Sequence, residues 1–214
     1  MVPKNAIAHA TAGQVVAIEL TEPPSMYSQP MGRVTEVLGE IDDPGMEIEI
    51  AVRKYEVPHR FSPETLAQAA SLPEKIRPVD RKHRIDLTDV PLVTIDGEDA
   101  RDFDDAVYCE PAVIGKGVGR VKAPNGWRLI VAIADVSHYV KPGEALDIDA
   151  YERATSVYFP RRVIPMLPEK ISNGLCSLNP NEDRLAMVCD MLVGEAGEVH
   201  AYQFFPAVIC SHAR

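Results

Sequence analysis

The sequence contains no apolar run of membrane length, no paired-cysteine motif, a single tryptophan and no surplus of basic residues. Its longest uninterrupted apolar stretch runs only from Leu129 to Ala134, against the roughly 20 residues that a spanning helix needs. The opening residues from Met1 to Ala6 lack the apolar core and cleavage site of a secretory leader. A soluble, cytoplasmic protein is therefore expected. Cys109, Cys176, Cys189 and Cys210 include no C-x-x-C pair, so neither a disulfide framework nor a zinc ribbon is indicated and reduced thiols are expected. Lys and Arg number 22 against 32 Asp and Glu, a formal charge of −10. That balance argues against a protein holding a polyanion by bulk positive charge. What remains is ordinary globular material: 214 residues, 46% hydrophobic and 25% charged, enough for one large domain or two small ones.

Residues 1–57 read as β structure, with strands expected at Gln14–Leu20, Gly32–Leu38 and Met46–Val52. Turn signals at Pro23-Pro24 and Asp42-Asp43-Pro44-Gly45 separate them. Three strands leave edges and one face uncovered, so this segment is expected to be part of a small barrel whose first strands are missing. Residues 1–60 hold no Phe or Trp, so no aromatic platform for stacking bases is visible there. Residues 58–84 read as a linker punctuated by Pro58, Pro63, Pro73 and Pro78, with one short helix capped by Ser62.

From residue 85 to 214 the pattern is mixed α/β. Strands are expected at Leu92–Ile95, at Ala106–Cys109 and at Trp127–Ala134, the last central in its sheet with Trp127 in the core. Gly115–Gly126, with four glycines, reads as a loop. A helix capped by Asp147 is expected to run to Thr155, followed by strands at Val188–Met191 and Gln203–Val208. The fold class expected is thus mixed α+β: a partial β-barrel, then a mixed α/β domain. No terminating signal marks Ser211–Arg214, and a truncated domain is expected.

Charge is unevenly placed. From Arg53 to Arg84 eight basic residues face four acidic ones, whereas Asp86–Glu110 holds nine acids and one Arg. The densest part is Thr94–Ala106, which carries Asp96, Glu98, Asp99, Asp102, Asp104 and Asp105. Two carboxylates about 5 Å apart repel by roughly 3 kcal/mol at an effective dielectric of about 20. Converging acids must therefore be protonated, splayed into water or bridged by divalent cations. A solvated acidic loop is one reading. Against it stand Ile95, Phe103 and Ala106, apolar residues that a surface loop does not need. An EF-hand loop fails on spacing, since Ala100 and Arg101 occupy the positions of a ligand and the obligatory glycine. Short oxygen ligands suit Mg²⁺ or Mn²⁺ better than Zn²⁺. Adjacent Asp104 and Asp105 cannot face one way on a regular strand, so a bend is expected there.

The run Thr94–Ala106, followed in order by Val131–Val136, Ser156–Pro160, Val163–Pro168 and Leu175–Pro180, resembles the first half of the catalytic domain of the ribonuclease II family. Residues 1–57 resemble the latter part of the cold-shock (OB-type) domain that precedes it. The resemblance implies a processive 3′→5′ exoribonuclease that hydrolyses RNA to 5′-nucleoside monophosphates with Mg²⁺, or Mn²⁺, as cofactor and RNA 3′ ends as partner. By motif position the acidic metal ligands are Asp96, Asp102, Asp104 and Asp105, while Asp99 stands outside that set. Tyr158 matches the tyrosine that packs on the 3′-terminal nucleotide, and Arg161 and Arg162 are candidate phosphate contacts. The rest of the catalytic domain and an S1-type RNA-binding domain have no counterpart in these residues, so weak RNA binding and no robust activity are expected of the chain alone. Two readings from other classes remain open: a non-catalytic RNA-binding module, and a two-metal phosphoesterase acting on small esters.

Overall fold

Alternating apolar positions on either side of a Pro-rich turn form the first ladder of the computed structural model, which describes residues 1–114 and 124–214. β1 (Gln14–Glu22) pairs antiparallel with β2 (Met31–Glu40), with register shifts along its length. The third expected strand is instead a helix, α1 (Met46–Lys54). Met46, Ile48, Ile50 and Val52 alternate, but Met46/Ile50 and Ile48/Val52 are also four apart, so one pattern serves both periods. Local chemistry decides for the helix. Gly45 turns the chain at φ 85°, Glu47 and Glu49 lie in the first turn, and Arg53 and Lys54 in the last, matching the helix dipole. Glu49 and Arg53 also pair one turn apart.

The chain divides into two compact units. One comprises Met1–Arg60 with Phe159–Arg162, the other Phe61–Tyr158 with Val163–Arg214. In the first, Met46 and Val52 are buried, and Glu36 accepts from Arg53 and Arg60.

The second unit is built on a closed barrel of β3 (Ile85–Val93), β4 (Asp105–Ala112), β5 (Gly126–Ala134), β8 (Asp183–Gly194) and β9 (Val199–Ala213). Neighbours pair antiparallel except β3 and β9, which run parallel and close the ring. The closure is uneven. β3 meets β4 at only one paired position, Val93 with Val107, so the seam between them is where the connecting loop emerges. β3 starts earlier than its apolar run suggested, because Ile85, Asp86 and Leu87 gain partners on β9.

β5 is central, flanked by β4 and β8 along its whole length. Its alternation sends Ile130, Ala132 and Ala134 into the core with Leu92, Leu185, Val188 and Ile209. Trp127 falls on the other parity, between Pro111 and Val193, and is 47% exposed on the outer face rather than in the core. The expected loop Gly115–Gly126 lies, for residues 115–123, outside the described residues, and Gly126 begins β5.

Helix α2 (Pro63–Ser71) is capped as its sequence demands, with Ser62 Oγ accepting from Thr65 N at 3.2 Å. Helix α3 (Ala145–Arg153) begins two residues before Asp147, whose carboxylate instead accepts from Gly143 N. Its first turn is served by α2: Gln68 Oε1 accepts from Leu146 N at 2.9 Å. Two short strands, β6 (Val157–Phe159) and β7 (Arg162–Ile164), pair as a hairpin, and a π-helical turn spans Lys170–Leu175. Among the described residues no helix is long and apolar enough to cross a membrane.

Candidate active site

Between Val93 and Asp105 the chain leaves the barrel and returns without a ladder of its own. Thr94 N donates to Ala213 O at 3.1 Å, Ala100 N closes a turn on Gly97 O at 3.0 Å, and Ala134 N donates to Asp104 O at 2.9 Å. Arg214 donates to the carbonyls of Gly97 and Glu98 and lies 5.0 Å from the Phe103 ring centroid. Phe103 is buried in the barrel core. The apolar residue inside the acid run therefore anchors the loop, with Asp102 and Asp104 on either side of it. Ala106 is likewise fully buried, whereas Ile95, expected to help embed the loop, is 81% exposed.

Three of the four sequence-predicted acids act on the fourth, Asp104, at this seam. Burial pushes the Asp104 carboxyl above its ordinary value, and the negative fields of Asp102, Asp105 and Asp96 push it further the same way. Asp105 opens β4 and Asp104 lies just before it, its carbonyl still meeting β5 through Ala134 N. One oxygen of Asp96, Oδ2, is buried without a hydrogen-bond partner, an arrangement that costs free energy unless some other group meets it.

Tyr158 is 65% exposed, and its hydroxyl donates to Asp102 Oδ2 at 2.9 Å. That bond to a carboxylate is the main reason its phenol is pushed above its ordinary value. Arg161 and Arg162 group with the first unit. Arg162 is already matched there by Glu49, while Arg161 is exposed and makes no ion pair among the described residues.

Comparison with known families puts a description on this arrangement. Residues 84–214 match the RNB domain, and residues 1–62 match a cold shock domain. The chain belongs to the ribonuclease II (RNB) family. Ribonuclease R of Vibrio cholerae is 52% identical over 214 residues, and that of Escherichia coli 50% identical. Each match covers all of this chain and 25% of the relative, so the chain spans about a quarter of the length of these curated relatives. Among solved structures, Mycoplasma genitalium RNase R in complex with double-stranded RNA superposes with a TM-score of 0.89 at 31% identity, covering 100% of this chain and 36% of that one. Yeast Ssd1, described as a pseudonuclease, shares the fold with a TM-score of 0.69 at 17% identity, over 99% of this chain and 26% of that one. The RNB fold thus exists with and without nuclease chemistry, and catalysis has to be argued from the acids.

The acids of this RNB chain fit a hard divalent cation in donor chemistry. They are all carboxylate oxygens, one is buried without a partner, and one carboxyl is raised by burial and by its neighbours' charge. Among the described residues, no three His, Cys, Asp or Glu side chains stand in metal-holding geometry. Ligation would therefore require the side chains to turn from these positions. The four cysteines are free, and burial pushes the Cys176 thiol up to about 12, so it offers no thiolate to a metal. Sequence reasoning passed over Ser177 and Arg214, which hold the loop. Ser177 lies within the Leu175–Pro180 motif, and that motif was the available signal.

Proposed function

We propose that this chain carries the acidic half of an exoribonuclease site that hydrolyses RNA from the 3′ end, releasing 5′-nucleoside monophosphates in a processive, two-metal reaction. The observation supporting this reading is the Asp104 carboxyl, raised first by burial and then by the charges of Asp102, Asp105 and Asp96. In an RNB-family chain, four mutually repelling carboxylates on one loop are arranged at a cost in folding stability, and a functional demand for cations accounts for it. Relatives named ribonuclease R, and the RNA-bound M. genitalium RNase R, support RNA as the substrate.

Asp96, Asp102, Asp104 and Asp105 would hold Mg²⁺ or Mn²⁺. When bound, two such ions supply an activated water, neutralise the phosphoryl oxygens and relieve charge on the leaving 3′ oxygen. The protein's part is to keep the acids deprotonated and oriented. Tyr158 offers an exposed ring for the terminal nucleotide, while its hydroxyl orients Asp102. Stacking of this kind is sequence-tolerant, as a general exonuclease requires. Arg161 is the more available of the two arginines for a phosphate, since Glu49 neutralises Arg162. Four free thiols fit a reducing, cytoplasmic setting.

The test is digestion of 5′-labelled RNA with and without Mg²⁺, by this chain alone and by a protein of the relatives' full length. Metal-dependent release of mononucleotides by the full-length protein is expected, lowered by orders of magnitude in Asp104→Asn with RNA binding retained. Near-normal turnover by Asp104→Asn would refute the reading. Cleavage independent of RNA length would favour a small-ester phosphoesterase, and RNA binding without nucleotide release a non-catalytic module.

A further inference from the structure

A loop with no ladder of its own takes its shape from whatever reaches it, and at this seam one side chain reaches it twice. The Ser177 hydroxyl donates to Arg101 O at 2.9 Å and accepts from Phe103 N at 3.1 Å. The next residue continues the grip, with Leu178 N donating to Phe103 O at 2.9 Å. A single hydroxyl thus ties the carbonyl just before Asp102 to the amide just after it. Ser177 is fully buried, so water does not compete for either bond. Its own carbonyl accepts from Arg184 Nε at 2.8 Å, and Arg184 Nε also reaches Gly174 O at 3.0 Å. Arg184 is itself buried and paired with Glu182. The chain of support runs from β8 through Arg184 and Ser177 to the peptides on either side of Asp102.

We propose that Ser177 is a positioning residue for Asp102 and Asp104, setting the backbone around Asp102 so that the carboxylates are presented together to a divalent cation. The proposal rests on the metal-dependent reading above. Aspartate has a short side chain with few rotors, so placement of its backbone becomes placement of its oxygens. Ser177 meets neither ion nor RNA and acts through the loop, in the way that groups behind a metal ligand orient it.

The experiment is a Mn²⁺ titration of the full chain, following the paramagnetic resonance signal of the free ion. Wild type is compared with Ser177→Ala, Ser177→Cys, Asp104→Asn and Val188→Ala. The last is a buried core change remote from the loop's hydrogen bonds, with the titrations run at the same interval below each variant's thermal midpoint. Ser177→Ala is expected to weaken Mn²⁺ binding about 10–100-fold. Ser177→Cys, whose thiol is a weak donor and acceptor, falls between and carries the test if the alanine variant does not fold. Val188→Ala keeps wild-type affinity. Unchanged affinity in both Ser177 variants overturns the proposal, and so does an equal loss in Val188→Ala, which would trace the effect to general loosening. A wild-type chain that leaves Mn²⁺ free, or Asp104→Asn binding it undiminished, overturns the metal-site reading itself, and the assignment of Ser177 falls with it.

Discussion

Tyr158 combines two roles that substitution can separate. Its ring is available to stack on a nucleotide, and its hydroxyl binds the Asp102 carboxylate. Tyr158→Phe keeps the ring and frees Asp102, so affinity for an RNA 3′ end is expected to stay close to wild type while turnover changes. Tyr158→Ala is expected to lose about 1–3 kcal/mol of binding. Fluorescence anisotropy with end-labelled RNA on the full-length protein separates the two, and equal losses in both variants would assign the whole effect to the hydroxyl. Residue identity alone exposed a run of six acids, and the family resemblance singled out four of them as candidate ligands. It did not expose Ser177, since a serine in an apolar motif has no chemical mark until the chain brings it, 74 positions away, against Phe103.

The element linking α2 to the barrel is held by charge. Arg77 grips Asp80 with two guanidinium hydrogen bonds of 2.8 and 2.9 Å and one of 2.8 Å from its backbone N–H, and holds its carboxyl well below the ordinary value, with His138 Nε2 standing 3.3 Å away. Burial pushes the Asp135 carboxyl up, but the Ser137 hydroxyl and the buried Arg84 guanidinium outweigh it, and the net shift is downward. Both acids are therefore more readily protonated unfolded than folded. Their stabilisation is complete above the ordinary carboxylate range and is lost as pH falls through the lower, folded-state range. Thermal midpoints measured from about pH 5 down to about pH 2 are expected to decline, and Asp80→Asn should flatten that decline while lowering the midpoint at neutral pH.

At helix α2, Ser62→Ala removes a cap that the sequence announced and is expected to cost about 1 kcal/mol in urea unfolding. At β5, a Cβ on Gly126 would stand 2.5 Å from Val193 O. Gly126→Ala is accordingly expected to shift the strand end and to destabilise more than a surface change. Helix α1 shows the limit of period reading over nine residues. Its alternation suited a strand, and the dipole-matched ends and the Gly45 turn made it a helix.

Across the whole molecule, a formal charge of −10 opposes a polyanion. The chain alone is expected to bind RNA more weakly than about micromolar at about 150 mM salt, since phosphate contacts supply most such affinity. Submicromolar binding under those conditions would overturn that expectation. The closed barrel was not legible as such. Its strands were signalled by β-rich runs, but the parallel pairing of β3 with β9 joins residues more than a hundred positions apart. The placement of Trp127 depended on which parity of β5 faced inward, which closure of that ring decided.

By itself the sequence determined the acidic loop, the Ser62 cap of α2 and the strand character of β5, because each is a local consequence of side-chain charge, hydrogen-bonding capacity or branching. Only the tertiary structure decided where that loop sits and what shapes it. The hydroxyl of Ser177 reaches the loop only because folding carries a residue 74 positions from Phe103 into a buried site, where water no longer competes for its bonds.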